Sequence, residues 1–247
     1  MAAPEKPGVG RRRFLKSIGV AGAASAVAPL AATIAEAQST GAPAGHAMDM
    51  PAMASAPAAH AYRFFNDIEA KFVEAAVDTL IPKDAVGPGA LEVGVATFLD
   101  NQLAGAYGGG ARMYLEGPFA EGAPTQGYQL PLTPAELYRV AIGDVNAYCA
   151  KSHKKRFDQL GAEDRKSVLE GIEGGKIALE SVPGTTFFTM LLGNVMEGYF
   201  GDPMYGGNRN KAVWKMIGFP GAIGMYADVI ADYRNKPYPV DPKGIED

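Results

Sequence analysis

Side chains able to do chemistry are few in this chain of 247 residues, and they fall in three places. His46, Met48, Met50, Met53 and His60 bring together imidazole and thioether donors, a set that suits copper(I). The same residues also describe a plain tether, because no element fixes their geometry. Cys149, the only cysteine, precedes a basic run of Lys151, His153, Lys154, Lys155 and Arg156. With no partner in its own chain, Cys149 is either a small buried hydrophobe or a thiol that bridges to another chain. Lys151, Lys154 and Arg156 would lower its pKa and favour exchange. The basic run itself either holds an acidic partner or complements the negative end of a helix dipole. The third place is the tail Asp202-Pro203-Met204-Tyr205-Gly206-Gly207-Asn208-Arg209, followed closely by Trp214, the only tryptophan. A Pro-anchored turn with two glycines would present Tyr205, Asn208 and Arg209, and Tyr, Trp and Arg are enriched at protein interfaces. The alternative is that Trp214 simply completes the core.

Much chemistry is excluded by what is missing. One cysteine rules out thiolate zinc fingers, cysteine-ligated iron–sulfur clusters and a CxxCH haem attachment within the chain. No Glu-x-x-His pattern of a di-iron bundle occurs, and Gly108–Gly110 lacks the Lys-Ser/Thr of a phosphate loop. Asp78, Asp84 and Glu92 share no helical face that would pair carboxylates. A net charge of -4 argues against general nucleic-acid binding. We assign no catalytic, cofactor-binding or metal residue to this chain.

Four segments organise the sequence. Residues 1–37 read as a twin-arginine signal peptide. Arg11, Arg12, Phe14, Leu15 and Lys16 supply the consensus, with Gly10 where Ser or Thr is usual, and an uncharged stretch rich in Ala, Gly and Val runs to Ile34. Ala35 and Ala37 then form the small-x-small cleavage site. The alternative is a retained membrane anchor, which the length barely reaches and which Gly19, Gly22 and Pro29 weaken. Residues 38–61 form a flexible Ala/Pro/Met linker, residues 62–236 the folded domain, and residues 237–247 a C-terminal tail.

Within the domain the patterning is helical. Asn66 and Glu69 form a capping box for a helix whose inward stripe is Ile68, Phe72, Ala75, Ala76 and Leu80. A second stripe runs Leu91, Val95, Phe98, Leu99 and Gln102 or Leu103 before the glycines at 105 and 108–110. Residues 106–132, rich in Gly, Pro and Tyr, form a long irregular segment of the kind that is functional or partner-bound. Thr133-Pro134-Ala135-Glu136 starts a helix with Leu137, Val140, Ala141, Asp144, Val145 and Tyr148 inward. A shorter charged helix follows over 160–172, and the most apolar segment, opening at Thr185 or Thr186 and reaching Phe200, makes the central helix. No alternating stretch reads as a strand. The expectation is an all-α fold: a single irregular helical domain with long Gly/Pro-rich loops.

Phe64-Phe65-Asn66, Leu80-Ile81-Pro82, Asp202-Pro203-x-Tyr205-Gly206-Gly207-Asn208-Arg209 and Trp214-Lys215-x-Ile217-Gly218-Phe219-Pro220-Gly221 together resemble the gluconate 2-dehydrogenase subunit 3 family. That resemblance implies the small subunit of a membrane-associated bacterial dehydrogenase of sugars, sugar acids or polyols, working in the periplasm. It implies a large subunit of the glucose-methanol-choline flavoprotein type holding FAD, and a multihaem cytochrome c subunit holding haem c. The small subunit would contribute no catalytic residue. It would carry the flavoprotein through the twin-arginine translocase on its own signal. If Cys149 is the bridging thiol and not the buried one, that flavoprotein would hold the partner cysteine. The rival expectation is a stand-alone periplasmic protein that binds a ligand or copper.

Overall fold

Two reciprocal caps set the frame of the domain. Ile68 N and Glu69 N donate to Asn66 Oδ1 at 2.9 and 3.0 Å, while Asn66 N donates to Glu69 Oε2 at 3.0 Å. Thr133 N likewise donates to Glu136 Oε2 at 2.8 Å, and Glu136 N to Thr133 Oγ1 at 3.3 Å. Each box satisfies N–H groups that a helix start would leave unpaired. They open α1 (Asp67–Leu80) and α3 (Pro134–His153) in a computed structural model that describes residues 61–120, 122–123 and 125–247.

The remaining helices are α2 (Val95–Ala104), α4 (Ala162–Glu173), α5 (Gly184–Phe200) and the short α6 (Ala212–Ile217) and α7 (Ile230–Tyr233). No strand occurs among the described residues; one isolated parallel bridge joins Gly221 to Lys243. The fold is all-α. None of the described helices is long and apolar enough to cross a membrane. Arg11, Arg12, Phe14, Leu15, Lys16, Ala35 and Ala37, expected to form the export signal, and the candidate donors His46, Met48, Met50, Met53 and His60 lie outside the described residues.

The core forms where α5 packs against α2, α3 and α4 while α1 covers the same centre. Phe72 of α1 lies 4.8 Å from Phe157 and 6.5 Å from Phe187, whose ring meets Tyr138 edge-on at 5.6 Å. Leu99, Leu137, Ile172, Leu191 and Val195 are fully buried around them. Tyr138 carries a hydroxyl into this centre and accepts from Asn194 Nδ2 at 3.0 Å, while Tyr107 donates to Asn194 Oδ1 at 3.0 Å. Asn194 thereby ties α3 and the loop after α2 to α5, and no polar group of the trio is left unpaired.

Several inward stripes lie part of a turn round the helix from where the spacing puts them. Ile68 is half exposed, and α1 turns Ala70, Val73 and Val77 inward beside Phe72. Leu91 leaves the predicted stripe because α2 begins only at Val95, after Gly94 adopts a left-handed conformation at φ 87°. Along α3 the buried line is Leu137, Tyr138, Ala141, Ile142, Val145 and Cys149, so the stripe lies further round than the spacing suggested. The described residues of 106–132 carry neither helix nor strand, and Tyr114 and Phe119 there are exposed.

Candidate functional site

The chain enters the domain on a buried carboxylate. Asp100 of α2, wholly enclosed, accepts from Arg63 N at 2.8 Å, Phe64 N at 2.9 Å and Phe65 N at 3.1 Å. Arg139 of α3 locks the same segment from the other side. Its guanidinium donates to both oxygens of Glu69 at 3.0 and 3.1 Å and to the Phe64 carbonyl at 3.0 Å, and it stacks 4.3 Å above the Phe64 ring. A carboxylate and a guanidinium so engaged are structural clamps. Neither was visible as such in the sequence, because their partners are backbone groups far along the chain.

The tail motif is built against α2 and the end of α5. After Phe200, Asp202 caps a tight turn over Pro203–Tyr205 by accepting from Met204 N at 3.0 Å, and its second oxygen accepts from Ile245 N at 2.8 Å. Gly206 turns the chain at φ 100°, and Gly207 packs so closely on the Gly198 carbonyl that a Cβ would overlap it. Arg209 then reaches back: its N donates to the Val93 carbonyl at 3.0 Å and its Nη2 to Thr97 Oγ1 at 2.8 Å. The last residues come back to the same place through Gly221 and Lys243 and through an ion pair of Lys211 with Asp247.

This geometry corrects the expected interface. Asn208 has no exposed surface; it sits in the left-handed region at φ 41°, donates Nδ2–H to the Gly201 carbonyl at 3.0 Å and accepts from Val213 N at 2.9 Å. Trp214 is 4% exposed, donates Nε1–H to the Phe200 carbonyl and meets Phe219 edge-on at 5.1 Å. Both residues hold the motif onto the core, so neither offers a partner a surface. Arg209 is exposed at one edge yet engaged on α2. Of the four, Tyr205 is 46% exposed with Met204 beside it, and Arg209 is the other exposed residue.

Cys149 takes one of its two expected places. It is fully buried on α3, and burial pushes the thiol up to about 11, against the lowering expected from the nearby cations. In this closed fold it is the buried hydrophobe of the two alternatives, and a bridge to another chain would first require the end of α3 to open. The basic run behaves as helix-end charge. Lys154 takes the left-handed cap position, and Arg156 forms a forked pair with its neighbour Asp158 at 2.9 and 3.0 Å, holding that carboxyl below its ordinary range.

What the motif leaves open is apolar. Met204, Tyr205, Ile217, Phe219, Met225, Tyr226, Ile230 and Ile245 all keep large exposed areas, and they cluster in the sequence from the tail motif onward. Two open grooves cut this end of the molecule. One, of about 380 Å³, lies between Pro220, Tyr226, Ile230 and Tyr233. The other, of about 470 Å³, lies between Phe98 and Gln102 of α2, Glu197 and Phe200 of α5, and Asp202 and Tyr205. No group of three or more His, Cys, Asp or Glu suited to a metal occurs among the described residues.

An all-helical domain whose polar side chains serve as caps and clamps, and whose tail exposes apolar surface, has the form of a subunit that packs against other chains. The gluconate 2-dehydrogenase subunit 3 family model matches residues 67–221, from the first residue of α1 through the bridge residue Gly221, and the chain belongs to that family. It is therefore a subunit of the gluconate 2-dehydrogenase type, part of an oxidoreductase complex. Comparison with curated proteins and with solved structures gave no match.

Proposed function

We propose that this protein is the non-catalytic small subunit of a periplasmic, membrane-associated FAD-dependent dehydrogenase that oxidises a sugar, sugar acid or polyol. FAD sits in a glucose-methanol-choline-type large subunit and haem c in a multihaem cytochrome that receives the electrons. The small subunit supports maturation of the flavoprotein and carries it through the twin-arginine translocase on its own signal at Arg11 and Arg12. Family membership over residues 67–221 is the observation that carries this reading. It is supported by the engagement of Asp100, Glu69, Arg139, Asn194 and Asn208 in bonds internal to the fold, which leaves the domain's central polar groups structural duties. It is supported also by the twin-arginine pattern, since that route moves folded, cofactor-loaded proteins and the cofactor here belongs to a partner.

Replacing Arg11 and Arg12 by Lys tests the export role. Both this subunit and its flavoprotein should then remain in the cytoplasm. A flavoprotein that still reached the periplasm would remove co-export from the proposal.

A further inference from the structure

We propose that the groove between α2 and the C-terminal end of α5 receives an arginine side chain of the companion dehydrogenase subunit, with Glu197 as counter-charge and Phe98, Phe200 and Tyr205 as aromatic walls. The inference rests on the reading that the chain works inside such a complex.

The groove combines apolar walls with an unanswered charge. Glu197 lines it from α5, and no ion pair or side-chain hydrogen bond engages this carboxylate among the described residues. The apolar surroundings take away part of its hydration, which holds its carboxyl above the ordinary range. No cationic residue lines the groove. The nearest arginine of the motif, Arg209, is committed to Thr97 and Val93. Asp202, the other acid on the wall, already accepts from Met204 N and Ile245 N and so shapes the groove.

A carboxylate partly desolvated between aromatic rings is matched by a cation that can stack as well as pair. Guanidinium does both: it is weakly hydrated, lies flat against aromatic faces, and offers forked donors to a carboxylate. Lysine would give only a strongly hydrated point charge. The rim favours an occupant from another protein. Tyr205 on its wall, Met204 next to Tyr205 in the chain and Ile245, whose N–H bonds to Asp202, all keep exposed apolar surface, of the kind that excludes water around an interfacial anchor. Phe98 and Gly198 also fix its depth, since the helices meet so closely that a Cβ on Gly198 would lie 2.6 Å from the Phe98 ring.

The test measures binding of the purified companion flavoprotein subunit to wild-type chain, Glu197→Gln, Glu197→Lys and Tyr205→Ala, each at low and high salt and each checked by thermal melting. Glu197 is exposed on one side, so both replacements should melt as wild type. We expect Glu197→Lys to weaken binding about 10-fold or more, Glu197→Gln and Tyr205→Ala to weaken it several-fold, and the salt dependence to shrink in both Glu197 variants. An Arg→Glu change on the flavoprotein should restore binding to Glu197→Lys. If wild type binds and Glu197→Lys binds equally well, the groove is not the arginine site while the subunit reading stands. If wild type itself binds no flavoprotein subunit, the subunit reading fails and takes this inference with it.

Discussion

Trp214 donates its indole N–H to the carbonyl of Phe200 at 2.6 Å, so the side chain of α6 closes the C-terminal end of α5. The last carbonyls of a helix have no partner within it, and here a residue 14 positions later supplies one. The indole is also almost wholly buried. Trp214→Ala should lower the stability of the isolated domain by about 3–5 kcal/mol, the range for truncating a buried aromatic. Trp214→Phe should cost less, mainly the lost bond at about 1–3 kcal/mol. Thermal melting checks both. An alanine variant that melted normally and failed only in assembly would return Trp214 to the interface.

Asn208 is the hinge of the motif in the same sense. It occupies φ 41°, which asparagine tolerates better than most residues, and its amide bridges Gly201 and Val213. Asn208→Ala leaves a buried carbonyl and a buried N–H unpaired and should cost roughly 2–4 kcal/mol. Asn208→Asp keeps the acceptor for Val213 N but sets a buried carboxylate oxygen against the Gly201 carbonyl, so it should cost at least as much as alanine. Denaturant unfolding ranks the three.

The starts of α1 and α3 were legible because both halves of each capping box lie within four residues of sequence. Asn208 and Trp214 were misjudged because composition alone cannot separate a residue that anchors a partner from one that anchors its own tail. The contacts that decide it, Gly201, Val213 and Phe200, become neighbours only when the tail folds back on α5. Asp100 escaped notice for a similar reason: its three donors are backbone amides 35 to 37 residues away. The late start of α2 depended on one glycine, Gly94, whose left-handed turn no hydrophobic spacing records.

Gly94 gives a sharp test of how the tail is seated. A Cβ there would lie 2.7 Å from the Gly206 carbonyl and against the Arg209 guanidinium, at a φ that side chains rarely adopt. Gly94→Ala should therefore lift the tail motif from α2 while leaving the α1–α5 core intact. Limited proteolysis should cut between residues 201 and 212 in the variant and spare wild type. Equal resistance in both would show that the tail is held independently of this close approach.

Burial of Cys149 predicts a silent thiol. A maleimide reagent at neutral pH should label the native domain slowly and the denatured chain at once, because the thiolate is the reactive form and the fold excludes both water and reagent. Fast native labelling would show that the end of α3 opens readily, and would reopen the route to a covalent link with another chain.

Alkali should destabilise the domain through its buried thiol and phenols. Cys149, Tyr107, Tyr128 and Tyr138 all have their proton loss pushed upward, in each case chiefly by burial, with Cys149 reaching about 11 and Tyr128 about 12. Tyr62 is raised in the same way, with Glu74 adding to the effect through a hydrogen bond. A group whose pKa is higher folded than unfolded keeps its proton in the fold while the unfolded chain releases it. Above the unfolded value the unfolded state binds fewer protons, so stability must fall as pH rises. For Cys149 the window runs from about 9 to about 11, and the slope is about 1.4 kcal/mol per pH unit for one such group. From neutral pH, melting temperatures should thus stay level up to about 9 and drop steadily above it. Cys149→Ala should remove its share of that slope and leave the tyrosine contribution. A melting temperature independent of pH between 9 and 11 would mean that these groups titrate alike in both states, and that the core around α3 admits water.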